Sequence, residues 1–519
     1  MGVSSTMWIR LAVFLSAYVA VRGDCCQRLQ SIGFSSGLPV IVVDTWGQSI
    51  PDEPKIDASM CTCSPIGGNY DGKIGIEIRG STSARDFNKK SFAVETREEN
   101  GKDRKVDLFG MPSDSDWVLY GPEMDKSLGL RNILAFAIAR NTGRYASRTQ
   151  YCEVFLVADG GDLNYGHYNG VYVLAETVKK GKNRVDVQKS KGDLSGGFIF
   201  KHDNNNIDEG DRTFRLSRSQ LDMITKYPKS DQISDQQIGS LKSFLDGFEY
   251  DLFETGNYFD KIDMGSFVDY FILTELTKNP DGYRGSTYMH KDKNGPLAMG
   301  PAWDYNEAFG MCCGYPIEGY FNGGNSDGIS GGSAISTNGW RFSICMDQDR
   351  CKVDWQDGVS QWYRKMWEDS GFRQRVAKRW RNLRGGAITH GFVKGVVGKA
   401  RSEASSMVER NANKWGINFF DEWQNEVSRI EAWTLSRIDW MDTQLSANEI
   451  PPFSPNGNSV VLQSSNLIEG GEGGTGGGGG DQFSEQQSQE QKNRRRNKEK
   501  ERNGNRKTAG VFRWFGQLG

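Results

Sequence analysis

Two aspartates in the second half of the chain have the residue type and spacing for phosphoryl-transfer chemistry. Asp281 lies in Asn279-Pro280-Asp281-Gly282-Tyr283-Arg284 and Asp304 in Gly300-Pro301-Ala302-Trp303-Asp304-Tyr305-Asn306, with a turn at Asn294-Gly295 between them. A strand-turn-strand unit of that length brings both carboxylates to one end. There, one carboxylate can orient or deprotonate an acceptor hydroxyl while the other holds a divalent metal. The reaction also needs cations and backbone N–H groups around phosphate. Arg79-Gly80-Ser81-Thr82-Ser83 reads as a strand running into a small-residue loop, and Lys89-Lys90-Ser91-Phe92 as the returning strand. Small residues let backbone amides approach phosphate oxygens, and Arg79 with a lysine brings positive charge. Plainer readings stay open on these residues alone: a solvated hairpin for the first segment, a turn residue at Asp281 and a helix N-cap at Asp304.

Other chemistries have weaker signals. No strand leads into GxGxxG or GxxxxGK[ST], so neither the ordinary protein-kinase loop nor a P-loop is present. His167, His202, His290 and His390 show no HExxH spacing and accompany no nucleophile elbow, which argues against a zincin or a hydrolase triad. A two-carboxylate glycosidase is compatible with the many Trp and acidic residues, but no particular pair is marked.

The elements that must position these residues divide the chain in two. Apolar or alternating runs at 38–43, 73–79, 91–96, 153–158 and 170–175 predict strands, interrupted by one predicted helix at 130–140. From Ser234 the pattern turns helical, opening on a capping box of Ser234 and Gln237. Phe267, Tyr270 and Phe271 recur at helical spacing, and further helices are predicted at 361–384, 392–413 and 420–445. The fold class is therefore α+β, a strand-rich N-terminal half followed by a helix-rich C-terminal half, with a cleft between two lobes.

With 519 residues, 37% hydrophobic and 25% charged, the chain can bury a large core. Its 64 basic and 66 acidic residues leave a net charge of −2, which gives no global footprint for nucleic acid or an acidic membrane. Residues 1–23 read as a signal peptide: Arg10 precedes an apolar run at 11–21 that ends in Val21-Arg22-Gly23. The run is shorter than the roughly 20 residues of a spanning helix, so no transmembrane anchor is predicted. All nine cysteines fall after it, and in the secretory pathway they predict several disulfides with one thiol left over. No CxxC and no neighbouring histidine points to structural zinc. Residues 451–519 read as a disordered Gly-rich linker and basic tail.

Taken in order, these blocks resemble the CotH kinase family, a group of atypical protein kinases related to spore coat protein H. The resemblance rests on Arg79 to Ser83, Lys89 to Phe92, Asp116-Trp117-Val118-Leu119-Tyr120-Gly121-Pro122, Arg131-Asn132, Tyr168 to Tyr172 with Glu176, Gly196 to Phe200, Asp281 to Arg284 and Gly300 to Asn306. It runs from about Leu38 to Asn448, and the domain is set at 24–450. It implies a two-lobed atypical protein-kinase-like fold with ATP and Mg²⁺ or Mn²⁺ in the cleft, Asp281 as the catalytic carboxylate and Asp304 as the metal ligand. Lys89 or Lys90 would contact phosphate, and Arg79, Ser81 and Ser83 belong to the covering loop. Glu176 and Lys201 would be cleft residues without an assigned role. Ser286 stands where an ordinary kinase loop has a metal-binding Asn, and Asn306 where family members carry a second acid, so a two-metal site is less supported than a one-metal site and the number of metals stays open.

The expected function is that of a secreted protein kinase transferring the γ-phosphoryl group to Ser/Thr hydroxyls of a protein substrate, one acting in the secretory pathway or outside the cell. The alternatives are a non-catalytic surface or adhesion protein of the same fold and a kinase-fold enzyme catalysing another nucleotide transfer. The oligomeric state is not encoded in any motif. Deletion of residues 451–519 is expected to leave turnover of a small acceptor unchanged. If the basic cluster 492–507 docks acidic substrates, the deletion lowers phosphorylation of an acidic protein at low ionic strength, where screening is weak. Loss of small-acceptor turnover would place the tail within the fold.

Overall fold

The computed structural model describes residues 24–203, 207, 210–311, 336–343, 358–417, 419–446 and 450–452. The expected signal peptide, Cys312, Cys313, Cys345 and Cys351, and nearly all of the expected tail lie outside them. Helix α1 (Cys25–Ser31) precedes strands β1 (Val40–Asp44), β2 (Ile56–Cys63) and β3 (Asp71–Arg79). After the short helix α2 (Thr82–Asp86) come β4 (Ser91–Thr96), β5 (Asp116–Tyr120), helix α3 (Leu130–Asn141), β6 (Thr149–Val157) and β7 (Tyr168–Glu176).

These seven strands close on themselves as a barrel in the order β1-β2-β3-β4-β5-β7-β6. Neighbours are antiparallel except β1 and β6, which run parallel with Val40 beside Glu153. The period of two along each strand sets what fills the interior. Ile41 and Val43 point inward to Ile74, Ile76 and Trp117, while Val40 and Val42 point outward under α1 with Phe155. Burial on both faces explains why β1 is an unbroken apolar run. On β7, Tyr172 and Leu174 fill the barrel, and Val171 and Val173 join the large core formed with the helices.

The second half opens with β8 (Phe198–His202), β9 (Thr213–Arg215), β10 (Asp222–Tyr227), α4 (Asp235–Tyr250) and α5 (Met264–Thr277), then β11 (Thr287–Lys291) and β12 (Leu297–Met299). It ends with α6 (Ser360–Glu368), α7 (Ser370–Arg384), α8 (His390–Ala404), α9 (Val408–Trp415) and α10 (Phe420–Leu445). Its strands form a five-stranded sheet ordered β12-β11-β8-β10-β9. Helix α5 is buried from Ser266 to Thr277, as a helix apolar around most of its circumference must be. The capping box forms: Ser234 Oγ accepts from Gln237 N at 3.2 Å, and Gln237 Oε1 accepts from Ser234 N at 3.1 Å.

The described residues form one compact unit, α+β as expected, with barrel closure as the feature the strand pattern did not foretell. Two predicted helices each divide in two. The 361–384 helix stops at Asp369, whose Oδ1 accepts from Gly371 N at 2.8 Å and restarts the chain as α7. The 392–413 helix breaks between Ala404 and Val408. Among the described residues, no helix is long and apolar enough to cross a membrane.

Disulfides Cys25–Cys61 and Cys26–Cys63 staple α1 to β2, and Cys152 is a buried free thiol inside the barrel. The bridges close overlapping segments, with sequence separations of 36 and 37. The paired change Cys25→Ser with Cys61→Ser, together with Cys26→Ser and Cys63→Ser, is expected to lower the unfolding free energy by about 2–4 kcal/mol under oxidising conditions. Under reducing conditions the difference from the wild-type chain should vanish. Denaturant titration in both conditions checks this.

Candidate active site

The roof of the site is the β3–α2–β4 connection. Arg79 ends β3, and Gly80 follows with a φ of +102°. A Cβ at Gly80 would collide with Ser83 Oγ, so only glycine fits this turn. The next residues wind into α2, and Lys90 holds that turn from below, its Nζ donating to Ala84 O at 2.7 Å and also to Phe87 O. The Arg79 guanidinium lies 5.3 Å from the centroid of the Trp303 ring, which stacks on Phe136 of α3 at 6.0 Å.

The floor comes from the end of α5 and the β11–β12 hairpin. Helix α5 stops at Lys278, whose φ of +47° turns the chain into Pro280-Asp281-Gly282. Asp281 O accepts from Arg284 N and Gly285 N at 3.0 and 2.8 Å, which fixes the turn. The Asp281 carboxylate is half-buried, with Arg284 Nη1 at 3.9 Å. Beyond the hairpin, Asp304 also takes a left-handed backbone, with a φ of +63°. It is therefore no helix N-cap, and two bonds hold its unusual backbone. Asn279 Nδ2 donates to Asp304 O at 3.1 Å, and Asn132 Oδ1 of α3 accepts from Tyr305 N at 2.7 Å.

A third carboxylate meets these two. β8 pairs with β11 so that His202 faces Thr287, which sets Asp203 beside Ser286. Ser286 Oγ lies 3.4 Å from Asp203 Oδ2 and 3.3 Å from Asp304 Oδ2. Lys201 Nζ donates to Asp203 Oδ2 at 2.5 Å. Asp304 is exposed to the cleft, yet the cleft walls crowd it; this enclosure, then the charges of Asp281 and Asp203, push its carboxyl up to about 6 against the pull of Arg79 and Ser286.

The cleft, about 240 Å³, is lined by Arg79, Gly80, Ser81, Ser83, Asp281 and Asp304, with Glu123 and Glu307 on its sides. A larger cavity of about 310 Å³ lies behind Gly300-Pro301-Ala302 and contains neither Asp281 nor Asp304. The smaller one is the candidate site, since there carboxylates face a cation and a loop of small residues.

Three of the residues expected in the cleft lie elsewhere. Lys89 is fully buried between β7 and α9, where Nζ donates to Val171 O at 2.6 Å and Asn411 Oδ1 at 2.7 Å, and burial pulls its ammonium down to about 7. Lys90 is bound to the backbone of its own loop. Glu176 follows the cleft residue Ala175 on β7 and so faces away, toward Arg148 Nη1 at 2.8 Å and Arg184 Nε at 3.3 Å. Lys201 reaches the site through Asp203. Trp303, Glu123 and Glu307 in the cleft wall, and Asp203 beside Ser286, are among the residues to which sequence reasoning gave no role. An acid directly after the 198–202 strand, two residues beyond Lys201, is the signal that marks Asp203.

A family model described as CotH kinase protein matches residues 76–441. The chain belongs to the CotH kinase family. No curated protein matches the chain. The match takes in the end of β3, the α5 turn, the hairpin and Asp304, so every carboxylate of the cleft lies within it. Membership of a kinase family implies nucleotide and metal use in general. Among the described residues, no group of three or more His, Cys, Asp or Glu is assembled to hold an ion by itself. A cation such as Mg²⁺ takes one or two carboxylates and completes its shell with water and phosphate oxygens. Asp304 and Asp203, joined by the Ser286 hydroxyl, fit that partial set.

Carboxyl NMR titration of the metal-free chain is expected to find Asp304 protonating near pH 6. Asp281→Asn removes a like charge and should move this midpoint down toward the ordinary aspartate range. Above the midpoint Asp304 is charged and able to hold a cation, and below it that capacity is lost. A midpoint unmoved by Asp281→Asn would show the two carboxylates to be electrostatically independent.

Proposed function

We propose that the chain is a secreted, atypical two-lobed protein kinase that transfers the γ-phosphoryl group of ATP to Ser/Thr hydroxyls of a protein substrate. The observation that carries this reading is the meeting of Asp304 and Asp203 at Ser286, with Asp281 lining the same cleft as Arg79 and the Gly80–Ser83 turn. In this reading the barrel is the nucleotide-covering lobe and the helical half carries the acids. The two disulfides and the expected signal peptide support an oxidising, secretory or extracellular location, where a co-secreted protein is the natural acceptor.

Each residue then has a task its surroundings suit. Arg79, placed over the Trp303 ring, and the amides around Ser81 and Ser83 bind phosphate oxygens. Asp304, with Asp203 and Ser286, would hold Mg²⁺ or Mn²⁺, an ion that when bound offsets the charge on the phosphates. Asp281 is half open to solvent, so an incoming Ser or Thr hydroxyl can reach it. As the hydroxyl oxygen bonds to the γ-phosphorus and the bond to ADP breaks, the hydroxyl proton passes to Asp281. Lys201 neutralises Asp203 and so limits the charge the site must carry without a metal.

Incubation with labelled ATP and a divalent metal, followed by mass mapping of the chain and of co-secreted proteins, tests the reading. A phosphoryl mass on Ser or Thr is expected. A nucleotidyl mass would assign the cleft to a different transfer, and no modification with any metal would leave a binding protein. Asp281→Asn should lower turnover by about 10²-fold or more while ATP binding persists. Asp304→Ala should abolish metal-dependent ATP binding as well, and wild-type activity in both variants would refute these roles.

A further inference from the structure

We propose that Arg341 is the positioning residue for Asp281, an inference that rests on the phosphotransferase reading of the cleft. Arg341 is fully buried in a short turn, Arg341–Ser343, far along the chain from Asp281. Its guanidinium nevertheless binds the two residues directly before that aspartate. Nε donates to Asn279 O and Pro280 O, both at 3.1 Å, and Nη2 donates to Pro280 O as well. These carbonyls follow the C-terminus of α5, where a helix runs out of backbone donors. Both residues are buried, so water does not serve them, and a planar fork of donors suits two adjacent carbonyls better than a point charge does.

The rest of the geometry makes Arg341 a fixed post. Its own amide donates to Glu275 Oε2 at 2.5 Å and the Phe342 amide to Glu275 Oε1 at 2.9 Å. Tyr283, two residues after Asp281, donates its hydroxyl to the same Oε1 at 2.9 Å, and the Arg341 guanidinium lies 5.8 Å from the Tyr283 ring centroid. The chain is thus gripped on both sides of Asp281 through one carboxylate and one guanidinium. The segment leading to Arg341 is anchored in turn. Lys278 Nζ binds Ser336 O at 3.0 Å, and Arg437 Nη1 binds Thr337 O and Gly339 O, both at 2.7 Å.

The Asp304 backbone is held by Asn279 of that turn and also, independently of Arg341, by Asn132 of α3, which binds the next amide. Loss of Arg341 therefore releases Asp281 more than the metal ligands, and turnover should fall with little change in nucleotide affinity. A displacement of about 1 Å at a reacting group costs on the order of 10²-fold in rate. We expect Arg341→Ala to lower kcat by about that factor, with KM for ATP changed by less than about threefold. Arg341→Lys, keeping the charge but not the fork, should recover part of the loss.

Amide hydrogen exchange provides a readout independent of activity. Exchange should quicken at Gly282, Arg284 and Gly285, whose amides close the Asp281 turn, and stay unchanged at Tyr305. A kcat within about twofold of wild type, a parallel loss of kcat and ATP affinity, or exchange unchanged at the turn would each overturn the proposal. If Arg341→Ala does not fold, Arg341→Lys decides by the same measurements. If the wild-type chain transfers nothing, the phosphotransferase reading fails, and the exchange comparison alone decides whether Arg341 holds the turn.

Discussion

The cleft depends on one buried carboxylate. Glu275 sits in α5 with no access to water, and a charge in such a place must be met by donors or be given up. It is met by Tyr283, Arg341, Phe342 and, at 3.6 Å, Arg437. Burial raises the Glu275 carboxyl above the usual range, while Arg437 and the amide donors pull it back. The same burial lowers Arg437 to about 10. Each ion thus loses more by leaving water than it gains from the other, and the pair adds little stability. Its effect is on specificity: three hydrogen-bond donors and the Arg437 charge converge on it from the Asp281 turn, the 336–343 segment and α10, which fixes their arrangement around α5.

A comparable logic joins the barrel to the helices. Asn411 of α9 accepts from Lys89 Nζ and from Val171 N at 3.1 Å, so the helix completes polar groups that the barrel wall leaves buried. Glu153 of β6, also buried, takes Tyr168 Oη at 2.6 Å and both arms of Arg410, at 2.9 and 2.8 Å. On the other side, Arg131 of α3 ties Asp125 and Glu426 to the carbonyl of Ala308, just beyond Asp304. Cations from the loop and helices thus neutralise acids in the barrel and its connections, and the reverse. The walls of the cleft are held at a set spacing by buried polar contacts as well as by apolar packing.

Much of this was legible in the sequence because it rests on local signals. The runs at 38–43, 73–79, 91–96 and 170–175 gave strands within a few residues, since a strand in a barrel wall keeps its alternation. Asp281 and Asp304 were legible because a turn at Asn294-Gly295 implies a hairpin whose ends come together. Lys89 and Lys90 could not be separated from residue type alone. One enters the wall and one the loop because β4 alternates, and which face is which depends on where the barrel interior lies. Asp203 has a local mark in its place after the 198–202 strand, but its role escaped because its partner, Ser286, is brought to it by the long-range pairing of β8 with β11. The helix breaks at Asp369 and beyond Ala404 were hidden for another reason: the apolar period carries on across both.

The barrel also bears on how the chain may be divided. The family match begins at residue 76, inside β3, whereas the barrel is built from residue 40 onward, and β1 supplies its only parallel seam, with β6. A fragment cut at the limits of the match would lack β1, β2 and the first half of β3. Its barrel would open into a curled sheet with two unpaired rims, the kind of surface that recruits strands from other molecules. The stretch of chain most easily recognised is thus shorter than the stretch able to fold. On the ribosome the same seam imposes an order of events, because β1 emerges first and has no closing neighbour until β6 has followed it out.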